Sequence, residues 1–303
     1  MKGFRIVVPG STANLGPGFD SIGLAINRYL TLDAVPSKRW QFNYVQSDYQ
    51  NLPRDESNLI AQVVDYTLVY SGVKKDDRAF QVTIDCELPL ARGLGSSAAA
   101  TVAGIELANL LYGLDLSIEE KARIGSLYEG HPDNIGASLY GGLTIGTHSS
   151  EETFIIPWGA IPLELVIVVP RPQLLTSHSR AQLPESMSFK ESVQASSYAN
   201  VLIASLLKGD LEMAGEMMRR DLFHHPYRKR LVPQLEETLA LLENEVDCGA
   251  ALSGAGPSVL VFMKEGKSKE LFPYLTKAFP DCEVECLFPE AKGLTVTAFN
   301  PAF

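Results

Sequence analysis

Apolar positions along this chain recur with two periods, and the switches between them outline the elements. Short β-type runs stand at Phe4–Pro9, Tyr29–Val35, Phe42–Val45 and Phe80–Ile84, with an apolar stretch at Ile22–Ile26. Leu59–Tyr70 follows the helical period, and Asp55-Glu56-Ser57-Asn58 ahead of it supplies residues that suit a helix start. Ala98–Leu111, rich in alanine and leucine, predicts a second helix. Ser117–Tyr128 predicts a third, because Glu120 stands at capping-box spacing from Ser117. Gly141-Gly142 then introduces a strand over Leu143–Gly146, and β character continues at Phe154–Ile156.

Two prolines and a glycine between Pro157 and Pro162 mark a domain boundary, after which Leu163–Val169 is the near-continuous apolar run of a buried strand. Helical patterns at Val193–Leu207, Leu211–Asp221 and Leu231–Glu243 precede strand-like segments at Val259–Phe262 and Glu283–Leu287, and Gly293–Phe299 reads as a final strand. Mixed helix and strand in both halves predicts an α+β protein with domains at 1–157 and 158–303.

Composition narrows the partners. A chain of 303 residues that is 46% hydrophobic can fill two cores. Its net charge of -10 repels a polyphosphate backbone, so nucleic acid is not the expected partner. An anionic nucleotide would need a local cradle of backbone N–H groups, a helix N-terminus, a cation or a few placed arginines. Cys86, Cys248, Cys282 and Cys286 lack zinc-site spacing and read as ordinary thiols. No stretch approaches the roughly 20 apolar residues of a membrane helix, and the first apolar run is too short for a signal peptide. The expectation is a cytoplasmic protein with no membrane partner.

The sharpest local feature is the glycine loop Pro89-Leu90-Ala91-Arg92-Gly93-Leu94-Gly95-Ser96-Ser97-Ala98-Ala99-Ala100, which runs into a strong helix former. Glycines let the main chain approach phosphate oxygens, a helix start presents unpaired N–H groups, and Ser96, Ser97 and Arg92 add donors and charge. The same residues also suit a plain tight turn with Ser96 or Ser97 as helix cap. The loop matches neither G-x-x-x-x-G-K-[ST] nor G-x-G-x-x-G. Two further motifs accompany it: Pro9-Gly10-Ser11-Thr12-Ala13-Asn14-Leu15-Gly16-Pro17-Gly18-Phe19-Asp20 near the start and Ser253-Gly254-Ala255-Gly256-Pro257-Ser258 near the end.

This order of loops, with Glu129-Gly130-His131-Pro132-Asp133-Asn134 between the last two, resembles the GHMP small-molecule kinases, named for galactose, homoserine, mevalonate and phosphomevalonate. Within that superfamily the chain most resembles the homoserine kinase family, over essentially its whole length. The resemblance implies a ribosomal-protein-S5-like N-terminal domain, a ferredoxin-like C-terminal domain, an active site between them and a homodimer. It implies ATP and Mg2+ acting on the hydroxyl of a small amino acid, homoserine, in threonine biosynthesis. Another acceptor such as mevalonate or a sugar, or a non-catalytic nucleotide-binding regulator, would use the same scaffold.

Carried over by motif, Pro89 to Ala99 would cradle the ATP phosphates and Asn58 would sit in the adenine pocket, although Asn58 equally suits a helix cap. Ser97 and Glu129 would hold magnesium, a hard cation that prefers oxygen ligands. The resemblance assigns Asn14, Asp20, His131, Asn134, Thr176, Arg180 and Arg228 to the acceptor, with Asp20 facing an ammonium and the two arginines a carboxylate. Arg230 competes with Arg228 for that role. Asn134 stands where mevalonate and galactose kinases carry an aspartate, and an amide cannot take a proton, so it would orient the hydroxyl; Asp20 as general base is the alternative. His224 and His225 have no motif and read as surface residues.

Overall fold

The computed structural model describes residues 2–300. Two sheets organise it. The first has seven strands, and its long central strand is the reason for its branched shape. β1 (Gly3–Ala13) pairs antiparallel along β2 (Ile22–Ser37). The second half of β2 pairs with β4 (Ala79–Cys86), which carries β3 (Gln41–Tyr44), while its first residues pair with β5 (Leu143–His148). β6 (Thr153–Gly159) completes that branch beyond β5.

The runs Ile22–Ile26 and Tyr29–Val35, separate in the periodicity, are therefore one strand. Gly10 to Ala13, in the first of the motifs, continue β1 after a register shift at Pro9/Gly10. Proline lacks the ladder N–H, so a bulge at that point lets the strand go on. On this sheet pack α1 (Leu59–Tyr70), α2 (Ser96–Tyr112), α3 (Ile118–Glu129) and α4 (Asp133–Tyr140). The capping box of α3 forms as expected, with Glu120 N–H donating to Ser117 Oγ at 3.1 Å and Ser117 N–H to Glu120 Oε2 at 2.7 Å.

The second sheet is antiparallel, built from β7 (Glu164–Pro170), β8 (Cys248–Leu252), β9 (Val259–Met263) and β10 (Cys282–Leu287) in the order β10-β7-β9-β8. That is the strand order of the ferredoxin-like βαββαβ unit. The run at β7 is unbroken because both of its faces are covered. Leu165, Ile167 and Val169 join the large core shared with the first sheet, whereas Val166 and Val168 join a second core.

The large core also takes Leu202 and Leu206 from α6 (Phe189–Lys208) and Ala214, Met217 and Met218 from α7 (Leu211–Arg219). The second core takes Leu235 from α9 (Pro233–Leu241) and Leu271 and Leu275 from α10 (Ser268–Ala278). Two short helices, α5 (Thr176–Arg180) and α8 (His225–Arg228), lie in the connections that reach the site. β11 (Thr295–Phe299) returns to pair with β1 in the first sheet. The cut at 157/158 thus falls inside β6, and the last strand of the second half belongs to the first sheet. The α+β class and the two-sheet arrangement stand.

Candidate active site

Three glycine-rich loops meet where the two sheets face each other, and the reason is steric as much as polar. Gly93 and Gly95 hold left-handed φ values of +75° and +74°. A Cβ on Gly93 would come within 2.2 Å of the Ser253 carbonyl oxygen, and one on Gly95 within 2.2 Å of Ser11 Oγ. The loops are also tied by hydrogen bonds. Ser253 Oγ contacts Gly93 O at 2.6 Å and Thr12 Oγ1 at 2.9 Å, and the Gly254 N–H donates to Ala13 O at 3.0 Å.

The chain leaves β1 through Asn14, Leu15 and Gly16, all with positive φ. That conformation is unfavourable for Asn14 and Leu15, and the Asn14 side chain offsets it. Asn14 Nδ2 donates to Gly254 O at 2.9 Å, and its Oδ1 accepts from the Asp20 N–H at 2.9 Å. One amide thereby joins the first loop to the last.

A cavity of about 750 Å³ opens between these loops. One end is apolar, lined by Tyr44, Tyr49, Leu59, Ile84 and Leu90. Asn58 stands there as the cap of α1: its Oδ1 accepts from Ile60 N–H at 3.0 Å, and its Nδ2 reaches Pro53 O at 2.7 Å. Asn58 is therefore both the cap of α1 and part of the cavity lining.

At the middle of the cavity lies the start of α2. Gly95 occupies the cap position without a side-chain cap, so neither Ser96 nor Ser97 caps the helix and its first N–H groups face the cavity uncapped by side chains. Leu90, Ala91, Gly93, Gly95, Ser96, Ser97 and Ala98 line the space. Pro89, Arg92, Leu94 and Ala99 do not. Leu94 and Ala99 are core residues, and Arg92 turns away, its guanidinium donating to the Arg171 carbonyl oxygen. Ser97 Oγ donates to Glu129 Oε1 at 2.8 Å, and Thr101 Oγ1, which lies outside the motif, reaches the same oxygen at 2.9 Å.

The far end is polar. Asn14, Asp20, His131, Asn134, Thr176, Arg180 and Arg228 all line it. Asp20 and Arg180 face each other in a two-point ion pair at 2.8 Å, so neither is free in this state. Asn134 Oδ1 accepts from Ser11 Oγ at 2.9 Å. Asp133, not singled out from sequence, takes His131 Nδ1–H at 2.6 Å and the Asn134 backbone N–H at 2.6 Å. Burial alone would lower the His131 pKa, but Asp133, with help from Asp20 and Glu129, pushes it up to about 9.

Arg228 is 1% exposed and makes no ion pair among the described residues. Burial, followed by the nearby Arg180, pulls its pKa down to about 10, and it stays a cation at neutral pH. Arg230 is exposed and lies outside the cavity lining, so of these two arginines only Arg228 lines the cavity. His224 and His225 are buried, at 0% and 6% exposure, because Asp221 gathers the backbone N–H groups of Phe223, His224 and His225 and folds the turn inward. The expectation of surface histidines is corrected accordingly.

Family models for the GHMP kinases N terminal domain and the GHMP kinases C terminal match residues 58–142 and 202–281. The homoserine kinase of Halalkalibacterium halodurans is 51% identical over 97% of this chain and 94% of its own length. The chain belongs to the GHMP kinase family. This GHMP kinase is also 48% identical to the homoserine kinase of Shouchella clausii, over 97% of this chain and 98% of the relative. The crystal structure of the Cytophaga hutchinsonii homoserine kinase superposes with a TM-score of 0.81 at 25% identity, covering 97% of each chain. ATP is the phosphoryl donor that membership in the GHMP kinases implies.

Proposed function

We propose that this GHMP kinase transfers the γ-phosphoryl group of ATP to the side-chain hydroxyl of L-homoserine, giving O-phospho-L-homoserine and ADP in threonine biosynthesis. The observation that carries the reading is the sharing of one cavity by an uncapped helix start, the Ser97–Glu129 pair and the unpaired cation of Arg228, in a chain so similar to homoserine kinases. A zwitterionic acceptor needs both signs of charge at its binding end, and Asp20 and Arg228 offer them.

In this reading the apolar end takes the adenine and the Gly93–Ser97 backbone takes the phosphates. A hydroxyl and a carboxylate sharing a hydrogen bond are hard oxygen donors of the kind Mg2+ prefers, so Ser97 and Glu129 fit the ion. Bound there, Mg2+ would neutralise phosphate charge. Arg228 holds the acceptor carboxylate and Asp20 its ammonium. Asn134 Oδ1 is engaged by Ser11 and its Nδ2 makes one long contact to Asp133 Oδ1 at 3.4 Å, which leaves its second amide N–H for the hydroxyl oxygen.

Neither Asn134, His131 nor Asp20 is a ready base for the hydroxyl proton. Asn134 is an amide, Asp133 holds His131 protonated at neutral pH, and Asp20, paired with Arg180 before the acceptor binds, turns to the acceptor ammonium. Transfer therefore rests on positioning and charge neutralisation, with the proton leaving to phosphate or water. The same reading makes the protein a cytoplasmic homodimer. Its support for assembly is the outward row Phe154, Ile156 and Trp158 on the edge strand β6, and sedimentation velocity is the measurement.

ADP release with MgATP against L-homoserine, mevalonate, galactose and L-serine tests the function. Turnover with homoserine alone is expected. Turnover with another acceptor alone would replace the substrate, and silence across the panel with ATP still bound would favour a nucleotide-binding regulator.

A further inference from the structure

Every neighbour that holds Arg228 is uncharged. Its Nη1 donates to Gly254 O at 3.3 Å and to His224 Nδ1 at 3.3 Å, its Nε to Ser179 O at 3.4 Å, and its guanidinium lies 5.2 Å from the centre of the Phe19 ring. The three hydrogen bonds are long, so no single one fixes the side chain. His224 is the only side chain among those three acceptors.

The tautomer of His224 follows from its other nitrogen. Nε2 faces the Gly16 carbonyl oxygen at 3.0 Å, and a ring nitrogen facing a carbonyl must carry the hydrogen. Nδ1 is then a lone pair, directed at the guanidinium. The ring is held flat against Phe19, with centroids 5.3 Å apart and planes 28° apart, and its backbone N–H is fixed by Asp221 Oδ2 at 3.1 Å. A carboxylate in this position would hold Arg228 as firmly, yet it would also cancel the charge an acceptor carboxylate needs. A neutral imidazole orients the cation and leaves its charge uncompensated.

Asp221, His224 and His225 also place ligand atoms within 4.8 Å of one another, as a metal centre would. Their bonds are otherwise committed. His224 uses both nitrogens as above, His225 Nε2 accepts from the Leu252 N–H at 3.1 Å, and Asp221 accepts three backbone N–H groups. A cationic guanidinium adjoining the cluster disfavours a metal ion further.

We propose that His224 is a positioning residue which, through its Nδ1 lone pair, aims Arg228 at the carboxylate of the acceptor while Gly16, in the acceptor loop, sets its tautomer. The proposal rests on the reading of Arg228 as the carboxylate grip. Two near-isosteric variants separate the two ring nitrogens. H224N keeps an acceptor near the Nδ1 position, and H224Q keeps a donor near the Nε2 position.

In steady-state assays H224Q is expected to raise the homoserine KM about tenfold, the scale of a hydrogen bond to a charged group, with kcat and the ATP KM little changed. Its preference for homoserine over 3-amino-1-propanol, which lacks only the carboxylate, falls by a similar factor. H224N raises the homoserine KM severalfold less, and H224Q adds nothing in an R228M background. Equal effects of H224N and H224Q, equal losses for both acceptors, or additivity with R228M would reduce His224 to a packing residue. R228M leaving the homoserine KM and the preference unchanged would instead remove the carboxylate grip itself. The wild-type protein gives a readout independent of variant folding: 15N-histidine spectra should show the Nε2–H tautomer of His224, and an Nδ1–H or doubly protonated ring overturns the proposal.

Discussion

Asp20 and Arg180 lie 160 residues apart in the chain and meet at the acceptor end of the cavity, Oδ2 to Nη1 and Oδ1 to Nη2, both at 2.8 Å. The pair is partly open to solvent, with side chains 31% and 40% exposed, so it adds little to stability. In the proposed function the pair holds two recognition charges in register until an acceptor of both signs arrives.

Arg180→Ala is therefore expected to raise the homoserine KM by about 10- to 100-fold, the scale of a lost charged hydrogen bond, while the melting temperature moves by only a few degrees. Asp20→Asn should do the same through the ammonium side. A normal homoserine KM in R180A would take Arg180 out of acceptor binding.

Gly93 and Gly113 offer an internal comparison. Both have left-handed φ, +75° and +62°, but a Cβ on Gly113 meets nothing within 4 Å, whereas on Gly93 it strikes the Ser253 carbonyl. Gly113→Ala should cost about 1 kcal/mol of stability and leave the ATP KM alone. Gly93→Ala should displace the loop, cost more, and raise the ATP KM at least tenfold. Equal ATP affinities in the two variants would separate the loop from nucleotide binding.

Much of this fold is legible from residue pattern, and the gaps have physical causes. β7 and the helix starts at Asn58 and Ser117 are readable because an apolar run and capping residues act locally. α4 is not: it is one short helix with Pro132 as an uncapped start, Gly136 inside and Gly141 at its end. Gly136 sits there because a Cβ would crowd Thr144 and Ile155, a constraint visible only once β5 and β6 are in place. α10 hides behind Pro273, and β8, Cys-Gly-Ala-Ala-Leu, lacks the bulky residues that mark strands. The small residues of β8 are required by α7, since Gly215 packs directly on the Cys248 carbonyl and Gly249. The motif residues that line the polar end of the cavity are singled out by resemblance, whereas Thr101, Asp133 and His224 are placed by contacts that no local pattern announces.

Glu129 receives two hydroxyl donors on one oxygen, from Ser97 and Thr101, so its carboxylate is oriented before any cation binds. Glu129→Gln keeps the shape and removes the charge. Turnover at limiting magnesium should fall at least tenfold, with partial recovery at high magnesium, and the melting temperature should change little. A magnesium dependence identical to that of the unaltered protein would remove Glu129 from the cation site.

The histidines set a pH profile of stability with two limbs of opposite sign. His131 is raised from an ordinary 6.5 to about 9, because Asp133 outweighs burial, so the folded state holds a proton the unfolded chain releases. Its stabilising share is complete below about pH 6.5 and is lost as pH rises through 9. His224 is lowered to about 3, and His225 is lowered too, in both cases by burial first. Each folds neutral while the unfolded chain takes up a proton below about 6.5, so their share is present above that pH and is lost progressively toward pH 3. Each limb is worth a few kcal/mol, since a tenfold difference in proton affinity between folded and unfolded chain corresponds to about 1.4 kcal/mol. Melting temperatures measured from pH 4 to 9.5 should peak in the neutral range. His131→Gln should flatten the alkaline limb and His224→Gln should shallow the acid limb. An alkaline limb that survives intact in H131Q would mean that Asp133 does not hold His131 protonated, and would reopen His131 as a base for the acceptor hydroxyl.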